Sequence, residues 1–418
     1  MKYHNPIITG FHPDPSVCRV GNDFYLVNSS FEYFPGIPIY HSTDLTHWEQ
    51  IGHVLDRKNQ LKLVSGAPNC LGIYAPTIRY HEGIFYCIVT NVGGRSGGNF
   101  FVYTTDPYGR WSNPVKLPFA GIDPSLFFDE DGRIYYTGTD TGIYIAEITF
   151  DVVRNDTPKR NELPVSIQNV KCGEKHYIWN GSGGNNPEGP HLYRIHDMYY
   201  LMIAEGGTEY CHMVTIARSK NVYGPYEACP HNPVLSNRST CLNIKAIGHA
   251  DLVEDSQGSW WAVCLGIRPL GYPFRHNLGR ETMLAPVKWE NGWPVMGDNG
   301  TVTETFEVET APGKKTRKSD FYIPGSNMTD TFCSNKLHPS WNTIYTPVSK
   351  FVKPTKQGLS LCAYDTTLSD DKPKAILVRR QEHFHFTATA TLTLESVNAG
   401  SEAGITIYMN NRHHYEAA

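Results

Sequence analysis

The chain has 418 residues, of which 12% are aromatic, and its formal net charge is −4 at pH 7. That length accommodates one large and one smaller domain, and the weak charge with scattered lysines and arginines argues against nucleic acid and anionic membranes as partners. Because the sequence has no signal-peptide pattern, no apolar run long enough to span a membrane and no Cys-x-x-Cys pair among its ten cysteines, we expect a cytoplasmic protein with free, buried thiols.

A β-hairpin pattern recurs five times along the chain. Each copy contains a short apolar run, a turn with Gly, Asn or Asp, and a second run rich in aromatic residues; the copies begin at Asp14, Ala75, Asp123, Glu188 and Ala250. Their spacing, roughly 50 to 65 residues, allows four strands for each copy. Since segments with helical periodicity are almost absent, the pattern predicts an all-β fold that contains a five-bladed β-propeller.

The propeller should be complete near residue 300. Residues 311–319 are basic and rich in breakers, which is typical of a linker. We therefore assign residues 1–310 to the propeller, 311–325 to a linker and 326–418 to a second domain.

The second domain has β character. Residues 383–392 alternate between apolar and polar side chains, and residues 403–409 offer another strand, which together indicate the start of a β-sandwich. The region is short for a sandwich and would leave strand edges exposed. We therefore expect an incomplete C-terminal β-sandwich, from a truncated form of a longer chain.

Three of the five repeats begin with an acid, namely Asp14, Asp123 and Glu188. The inner strands of a propeller line its axis, so these acids should converge at one mouth of the channel. Proline follows Asp14 and Asp123 directly, which predicts an extended backbone there, and we expect the same for Glu188 in its Asn-Pro-Glu-Gly-Pro segment. A single Asp-Pro pair is usually a turn, but three acids at equivalent positions favour catalysis over structural capping. Glycoside hydrolysis needs such a set: a proton donor for the leaving oxygen and a second carboxylate.

The motifs around these acids resemble those of a known family. The chain resembles glycoside hydrolase family 43, in its branch of β-xylosidases and α-L-arabinofuranosidases with a C-terminal sandwich. The resemblance rests on NPI at 5–7, GFHPDPS at 10–16, IYAP at 73–76, GIDPS at 121–125, PEGPH at 187–191, AEGGT at 204–208, MVTIARS at 213–219 and GRET at 279–282.

The resemblance implies an inverting mechanism. Asp14 would be the general base that activates water, Glu188 the general acid, and Asp123 would orient Glu188 and raise its pKa. The implied reaction is release of terminal xylose from short β-1,4-xylo-oligosaccharides. The alternatives are an α-L-arabinofuranosidase or a dual-specificity enzyme acting on arabinoxylo-oligosaccharides, and a propeller that binds carbohydrate with weak or no catalysis. A protein-interaction scaffold would leave the acids unexplained, and a homo-oligomer stays open.

Further residues follow from the same resemblance. Phe31 and Tyr74 would form apolar walls for the terminal sugar, although many β-xylosidases of this kind carry Trp in place of Tyr74. Arg280 would bind a sugar hydroxyl and the nearby carboxylates, and Thr208 would reach the substrate. His249 precedes the fifth repeat and should point at the axis, where relatives sometimes hold a calcium ion through waters; an ordinary structural histidine is the alternative. The chemistry itself requires no cofactor.

Overall fold

A computed structural model describes residues 2–63, 69–93, 97–307, 321–334, 336–395 and 400–417. Within these ranges the regular structure is β-strand, apart from one 3₁₀ turn at Val348–Lys350, which confirms the all-β prediction. None of these ranges forms a helix with the length and apolarity that a membrane crossing requires. All ten cysteines are free, but only Cys18, Cys87, Cys229 and Cys264 are buried, so the expectation of buried thiols holds only in part.

Five antiparallel sheets form the blades. Strand β1 (Lys2–His4) comes first, and chain order in the first blade is β2 (Ser16–Val20), β3 (Asp23–Val27), the separate short strand β4 (Tyr33–Phe34), β5 (Gly36–Ser42) and β6 (Glu49–Leu55). The second blade has β7 (Gly72–His81), β8 (Ile84–Val92), β9 (Gly98–Thr104) and β10 (Val115–Lys116). The third has β11 (Ile122–Phe128), β12 (Ile134–Thr139), β13 (Ile143–Arg154) and β14 (Val165–Cys172), with β15 (His176–Trp179) also paired to β13.

The remaining blades repeat the same order. The fourth has β16 (Glu188–Ile195), β17 (Met198–Glu205), β18 (Met213–Ser219) and β19 (Glu227–Ala228). The fifth has β20 (Lys245–Glu254), β21 (Trp260–Ile267), β22 (Glu281–Glu290) and β23 (Trp293–Met296). The inner strands β2, β7, β11, β16 and β20 contact one another in this order, and β20 contacts β2. The ring is therefore closed, and the five-bladed propeller is confirmed.

The N-terminus joins the fifth blade. Strand β1 pairs with β24 (Thr305–Glu307), which follows that blade. The Asn5 side chain accepts from the Leu284 N–H at 2.8 Å and donates to the Leu284 carbonyl at 2.9 Å. These bonds hold the start of the chain against β22.

The core consists of five apolar clusters, one between each pair of neighbouring blades. The cluster that closes the ring packs Val17 and Leu26 of the first blade against Trp261 and Leu284 of the fifth. Both faces of a blade are covered by its neighbours, so residues on both faces of a strand are buried. In β8, for example, eight successive residues are buried.

Each inner strand carries a bulge near its start. In four blades, two residues of the inner strand face one residue of the next strand, at 75–76, 123–124, 189–190 and 249–250. Residues 14–15 take the same place before β2, because Ser16 pairs with Val27 and the Ser29 N–H bonds to the Pro13 carbonyl. The first bulge residues are therefore Asp14, Ala75, Asp123, Gly189 and His249. The predicted equivalence of Glu188 and Ala250 with Asp14 is wrong by one residue, since side-chain patterns do not reveal where a bulge inserts its extra residue.

The C-terminal region forms three two-stranded pairs. Strand β25 (Thr343–Ile344) pairs with β4 of the propeller, β26 (Val352–Thr355) pairs with β27 (Gly358–Leu361), and β28 (Ile405–Asn410) pairs with β29 (His413–Ala417). Among the described residues these strands are too few for a complete sandwich, as predicted, and β28 confirms the strand expected at 403–409. Most of the predicted linker, residues 311–320, lies outside the described residues.

The strand predicted at residues 383–392 is wrong. The structure has no strand there, and Phe386 and Leu392 are about half exposed, at 50% and 52%. Alternation gives a segment two distinct faces, but a strand also needs a neighbour that accepts its backbone hydrogen bonds. In the part of the chain that the structure describes, no strand pairs with this segment.

Candidate active site

The bulges determine how the acids are presented. Asp14 and Asp123 are both buried, with φ angles of 52° and 54°. The predicted extended backbone is therefore wrong for these two residues: the following proline excludes the right-handed α region, and the bulge takes the left-handed one. Aspartate tolerates this region better than most residues, at a cost on the order of 1–3 kcal/mol. Glu188 lies one residue earlier in its blade, in regular strand pairing, at the place that Tyr74 occupies in the second blade.

Asp14 is held in its ionised form. The Ser29 hydroxyl donates to Oδ2 at 2.5 Å, and Arg280 donates to Oδ1 at 3.0 Å. Burial alone would raise the pKa of Asp14, but Arg280, His249 and the Ser29 bond outweigh it, so the pKa is lowered. Asp14 is therefore a carboxylate at neutral pH.

The pKa values of Asp123 and Glu188 are raised, in contrast to that of Asp14. Burial, followed by the charge of Asp14, raises the pKa of Glu188 to about 7 against the opposing effect of Arg280. Burial and the charges of Glu188 and Asp14 raise the pKa of Asp123 well above its ordinary value, although the Gly189 N–H donates to its Oδ2 at 3.0 Å. The two carboxyl groups titrate as a pair, so together they retain a proton near neutral pH. The site thus combines one ionised carboxylate with a proton-carrying pair, the arrangement that acid and base chemistry needs.

Aromatic side chains lie beside Arg280, the residue that binds Asp14. The Phe31 ring lies 5.5 Å from the Phe11 ring and 5.2 Å from the Tyr74 ring, measured between centroids. The Arg280 guanidinium lies 5.4 Å from the centre of the Phe31 ring. The structure thus brings Phe31, Tyr74 and Arg280 together beside Asp14, and we call Phe11, Phe31 and Tyr74 the aromatic wall.

Sequence reasoning missed two residues of this site. Ser29 bonds directly to Asp14, and Phe11 extends the aromatic wall. Ser29 had a partial signal: unbroken continuation of the Ser16–Val27 pairing would place Ser29 opposite Asp14, although the bulge joins the Ser29 backbone to Pro13 instead. Phe11 stands inside the motif at 10–16, but its contact with Phe31 depends on the tertiary fold.

The structure does not bring Thr208 to the acids. Thr208 is exposed on the loop after β17, and among the described residues no hydrogen bond joins it to Asp14, Asp123 or Glu188. Its neighbour Glu205 has a structural role, because it is fully buried and accepts from the Ser182 and Gly184 N–H groups at 2.6 and 2.7 Å.

His249 lies on the axial side of the fifth blade, with its Nδ1 atom 4.0 Å from Asp14 Oδ1. Burial lowers its pKa, with a further contribution from Arg280, although Asp14 and Asp251 oppose the shift. In the described ranges, no group of three or more His, Cys, Asp or Glu side chains is arranged to hold a metal ion. Asp14 already accepts from Arg280 and Ser29, so the residues around His249 do not fit a directly coordinated cation, and no step below uses one.

Five polar side chains, one from each inner strand, meet on the axis next to the acids. We call Ser16, Arg79, Ser125, His191 and Asp251 the axial hub. Arg79 binds Asp251 with both terminal nitrogens, at 2.7 and 3.1 Å, and donates to His191 Nδ1 at 2.9 Å. Ser16 donates to Asp251 at 2.6 Å, and Ser125 Oγ lies 3.3 Å from His191 Nδ1.

The axial hub ties together the strands that carry the acids. Ser16, Ser125 and His191 follow Asp14, Asp123 and Glu188 by two or three positions. The Asp251 side chain is fully buried, and despite that burial its pKa is lowered, chiefly by Arg79. A buried ion pair thus fixes the spacing of the inner strands just beyond the acids.

Comparison with known proteins agrees with this geometry. The sequence matches the family described as glycosyl hydrolases family 43 over residues 3–294, and the β-xylosidase C-terminal concanavalin A-like domain over residues 329–418. The second match covers the region of the three short strand pairs.

Individual relatives match along most of their length. A non-reducing end α-L-arabinofuranosidase of Bacteroides ovatus is 42% identical over 99% of this chain and 75% of its own length. A xylosidase/arabinosidase of Butyrivibrio fibrisolvens is 40% identical over 99% of this chain and 79% of its own length. The crystal structure of a GH43 protein from Bacillus licheniformis superposes with a TM-score of 0.82 at 35% identity, covering 99% of this chain and 78% of the other.

Proposed function

Because this chain belongs to glycoside hydrolase family 43, we propose that it releases terminal xylose from short β-1,4-xylo-oligosaccharides with inversion at the anomeric carbon. The single observation that carries the proposal is the opposed electrostatics of Asp14 and Glu188: one carboxyl group is kept ionised, and the other has a pKa of about 7. Proton transfer by groups tuned in this way contributes about 10²- to 10⁴-fold to a rate.

In the proposed mechanism, Asp14 takes a proton from a water molecule while the water oxygen attacks the anomeric carbon. The bond to the glycosidic oxygen breaks, and that oxygen takes the proton of Glu188. Asp123 titrates together with Glu188, so that one proton stays on the pair before the reaction. Asp14 ends protonated and Glu188 ionised, and exchange with solvent restores both. Asp14 and Glu188 come from the first and fourth blades, which suits two groups acting on opposite faces of one sugar.

The aromatic wall and Arg280 would hold the sugar that is released. Phe31 and Tyr74 offer ring surfaces, and Arg280 presents donors beside Asp14. Arg280 also has a second effect, because its charge lowers the pKa of both Asp14 and Glu188.

Release of α-L-arabinofuranose is the second candidate. It is favoured by the name of the Bacteroides ovatus relative and by tyrosine rather than tryptophan at position 74. A propeller that only binds carbohydrate is disfavoured, because binding alone gives no reason to bury a proton-carrying carboxyl pair.

The two candidates are separated by initial rates on the p-nitrophenyl β-D-xyloside and α-L-arabinofuranoside. We expect faster cleavage of the xyloside and no effect of EDTA, because no step of the proposed mechanism uses a metal ion. Faster cleavage of the arabinofuranoside would overturn the xylosidase assignment, and Tyr74→Trp should then shift the ratio of rates toward the xyloside. No turnover of either substrate by folded protein would favour the binding-only alternative, and loss of activity in EDTA would bring His249 into the mechanism.

The pH dependence of kcat/KM should reflect the same electrostatics. Glu188 must carry a proton, so kcat/KM on the xyloside should fall as pH rises through about 7. Asp14 must be ionised, so the acidic limb should lie below the ordinary range of aspartate. In Arg280→Met, whose rate should be lower, both limbs should move to higher pH, because Arg280 lowers both pKa values. An alkaline limb unmoved by this substitution would contradict the assigned charges.

A further inference from the structure

Three aromatic side chains cluster on two loops away from the aromatic wall. Tyr210 is 43% exposed and Tyr272 is 89% exposed, while Phe274 lies half-buried between them. The Phe274 ring is 4.9 Å from the Tyr210 ring and 5.8 Å from the Tyr272 ring. We call these three residues the aromatic platform.

Two rings of the aromatic platform, Tyr210 and Phe274, are held by further contacts. The Tyr210 hydroxyl donates to the Phe274 carbonyl at 2.9 Å, which joins the two loops. The Lys245 ammonium lies 5.5 Å from the centre of the Phe274 ring, and Lys245 begins the inner strand β20. Large rings held in this way and left open to solvent are typical of a ligand surface.

Both loops lie on the face of the propeller that carries the acids. Residues 206–212 follow β17, whose last residues pair with the start of β16 at Glu188 and Ala204. Residues 268–280 follow β21, whose end pairs with the start of β20 at Lys245 and Ile267. The inner strands begin at the acids, so the loops open at the same mouth of the channel.

The loops also connect the aromatic platform to the reacting groups. The Gly206 N–H bonds to the Asn185 carbonyl at 2.7 Å, three residues before Glu188. The other loop ends at Arg280, which binds Asp14. The Tyr210 loop is therefore tied to the segment that presents Glu188, and the loop of Tyr272 and Phe274 leads to Arg280, so the platform stands at the mouth that the two acids share.

We propose that the aromatic platform binds the leaving-group sugars of the oligosaccharide, through stacking of pyranose rings on Tyr210, Tyr272 and Phe274. The proposal rests on the proposed function, in which Glu188 protonates the glycosidic oxygen. The sugar beyond that oxygen must lie outside the aromatic wall, and the platform is an aromatic surface at the same mouth, with its Tyr210 loop tied to the Glu188 segment. The two aromatic surfaces then hold the substrate on either side of the bond that breaks.

Removing a ring of the platform should lower kcat/KM only for substrates with a large leaving group. Tyr272→Ala and Tyr210→Ala should each lower kcat/KM on xylotriose roughly tenfold, mainly through KM, and should leave methyl β-D-xyloside unchanged because its leaving group is too small to reach the platform. Tyr272→Phe should retain the parent value, since the ring is kept. Tyr177→Ala removes another exposed tyrosine, 56% exposed on β15, and should change neither substrate.

A binding measurement separates this proposal from the proposed function. In the Glu188→Gln background, titration calorimetry with xylotriose should show a roughly tenfold weaker Kd when Tyr272→Ala is added, and an unchanged Kd for xylose. Equal losses of kcat/KM on xylotriose and methyl xyloside, or an unchanged Kd for xylotriose, would contradict the proposed sugar-binding role of the aromatic platform. Failure of the parent enzyme to hydrolyse any xyloside would contradict the proposed function. The calorimetric comparison would still test whether the platform binds sugar.

Discussion

Replacing Glu188 by Gln should lower kcat/KM on p-nitrophenyl β-D-xyloside by roughly 10²- to 10⁴-fold. Glutamine keeps the shape of the side chain but carries no transferable proton at this position. The measurement is the initial rate of the purified variant at pH 6, where the parent Glu188 is largely protonated because its pKa is about 7.

The leaving group identifies which role is lost. A dinitrophenolate departs without protonation, so Glu188→Gln should lose much less activity on the dinitrophenyl xyloside than on methyl β-D-xyloside. Asp14→Asn, which removes the proposed base, should lose a similar factor on both. If Glu188→Gln lost the same factor on both substrates, Glu188 would not be the proton donor. Glu174→Gln is the matched control, because Glu174 is an exposed glutamate on the third blade, and its rates should equal those of the parent.

Replacing Arg79 by Met should destabilise the propeller by about 3–5 kcal/mol, because it leaves the fully buried Asp251 carboxylate without its charged partner. The free energy of unfolding at pH 7, from urea titration followed by fluorescence, measures this loss. The closest comparison is Arg133→Met, which breaks a pair of similar length, 2.6 Å, between Arg133 and Asp131 on the surface. That variant should have the midpoint of the parent, because solvent screens an exposed pair.

A double variant tests whether the unpaired charge of Asp251 causes the loss of stability. Adding Asp251→Asn to Arg79→Met removes the uncompensated charge. The amide oxygen can still accept from Ser16, and the amide NH2 group can donate to the Tyr193 hydroxyl, so part of the stability should return. If Arg79→Met and Arg133→Met had the same midpoint, the axial hub would contribute nothing through its ion pair.

The sequence predicts the blades better than it predicts the details at their inner ends. Repeated hairpins can be read directly, because each blade is a local unit with its own turn. The side-chain pattern does not reveal the bulge. The predicted equivalence of Glu188 and Ala250 with Asp14 is therefore wrong by one residue. The contacts of the axial hub could not be predicted from the sequence, because Ser16 and Asp251 are 235 positions apart and meet only when the ring closes.

The same contrast applies to single segments. The side-chain contact of Asp14 with Ser29 lies within one hairpin, so the sequence indicated it even though the bulge joins the Ser29 backbone to Pro13. The failed strand at residues 383–392 had the right alternation, but its backbone lacks a described neighbour with which to pair. Local pattern thus predicts the faces of a segment, whereas strand formation depends on a second segment that the pattern does not specify.

The shared bulge separates the scaffold of this enzyme from its chemistry. Strand pairing resumes on both sides of the bulge whichever side chain it carries, and its first position holds Asp14, Ala75, Asp123, Gly189 and His249 in the five blades. Four of these positions have φ angles between 47° and 61°, so aspartate, glycine and histidine fit there, whereas β-branched side chains would strain the backbone. The same architecture can thus present different side chains at one repeated position, within the small set that this backbone accepts.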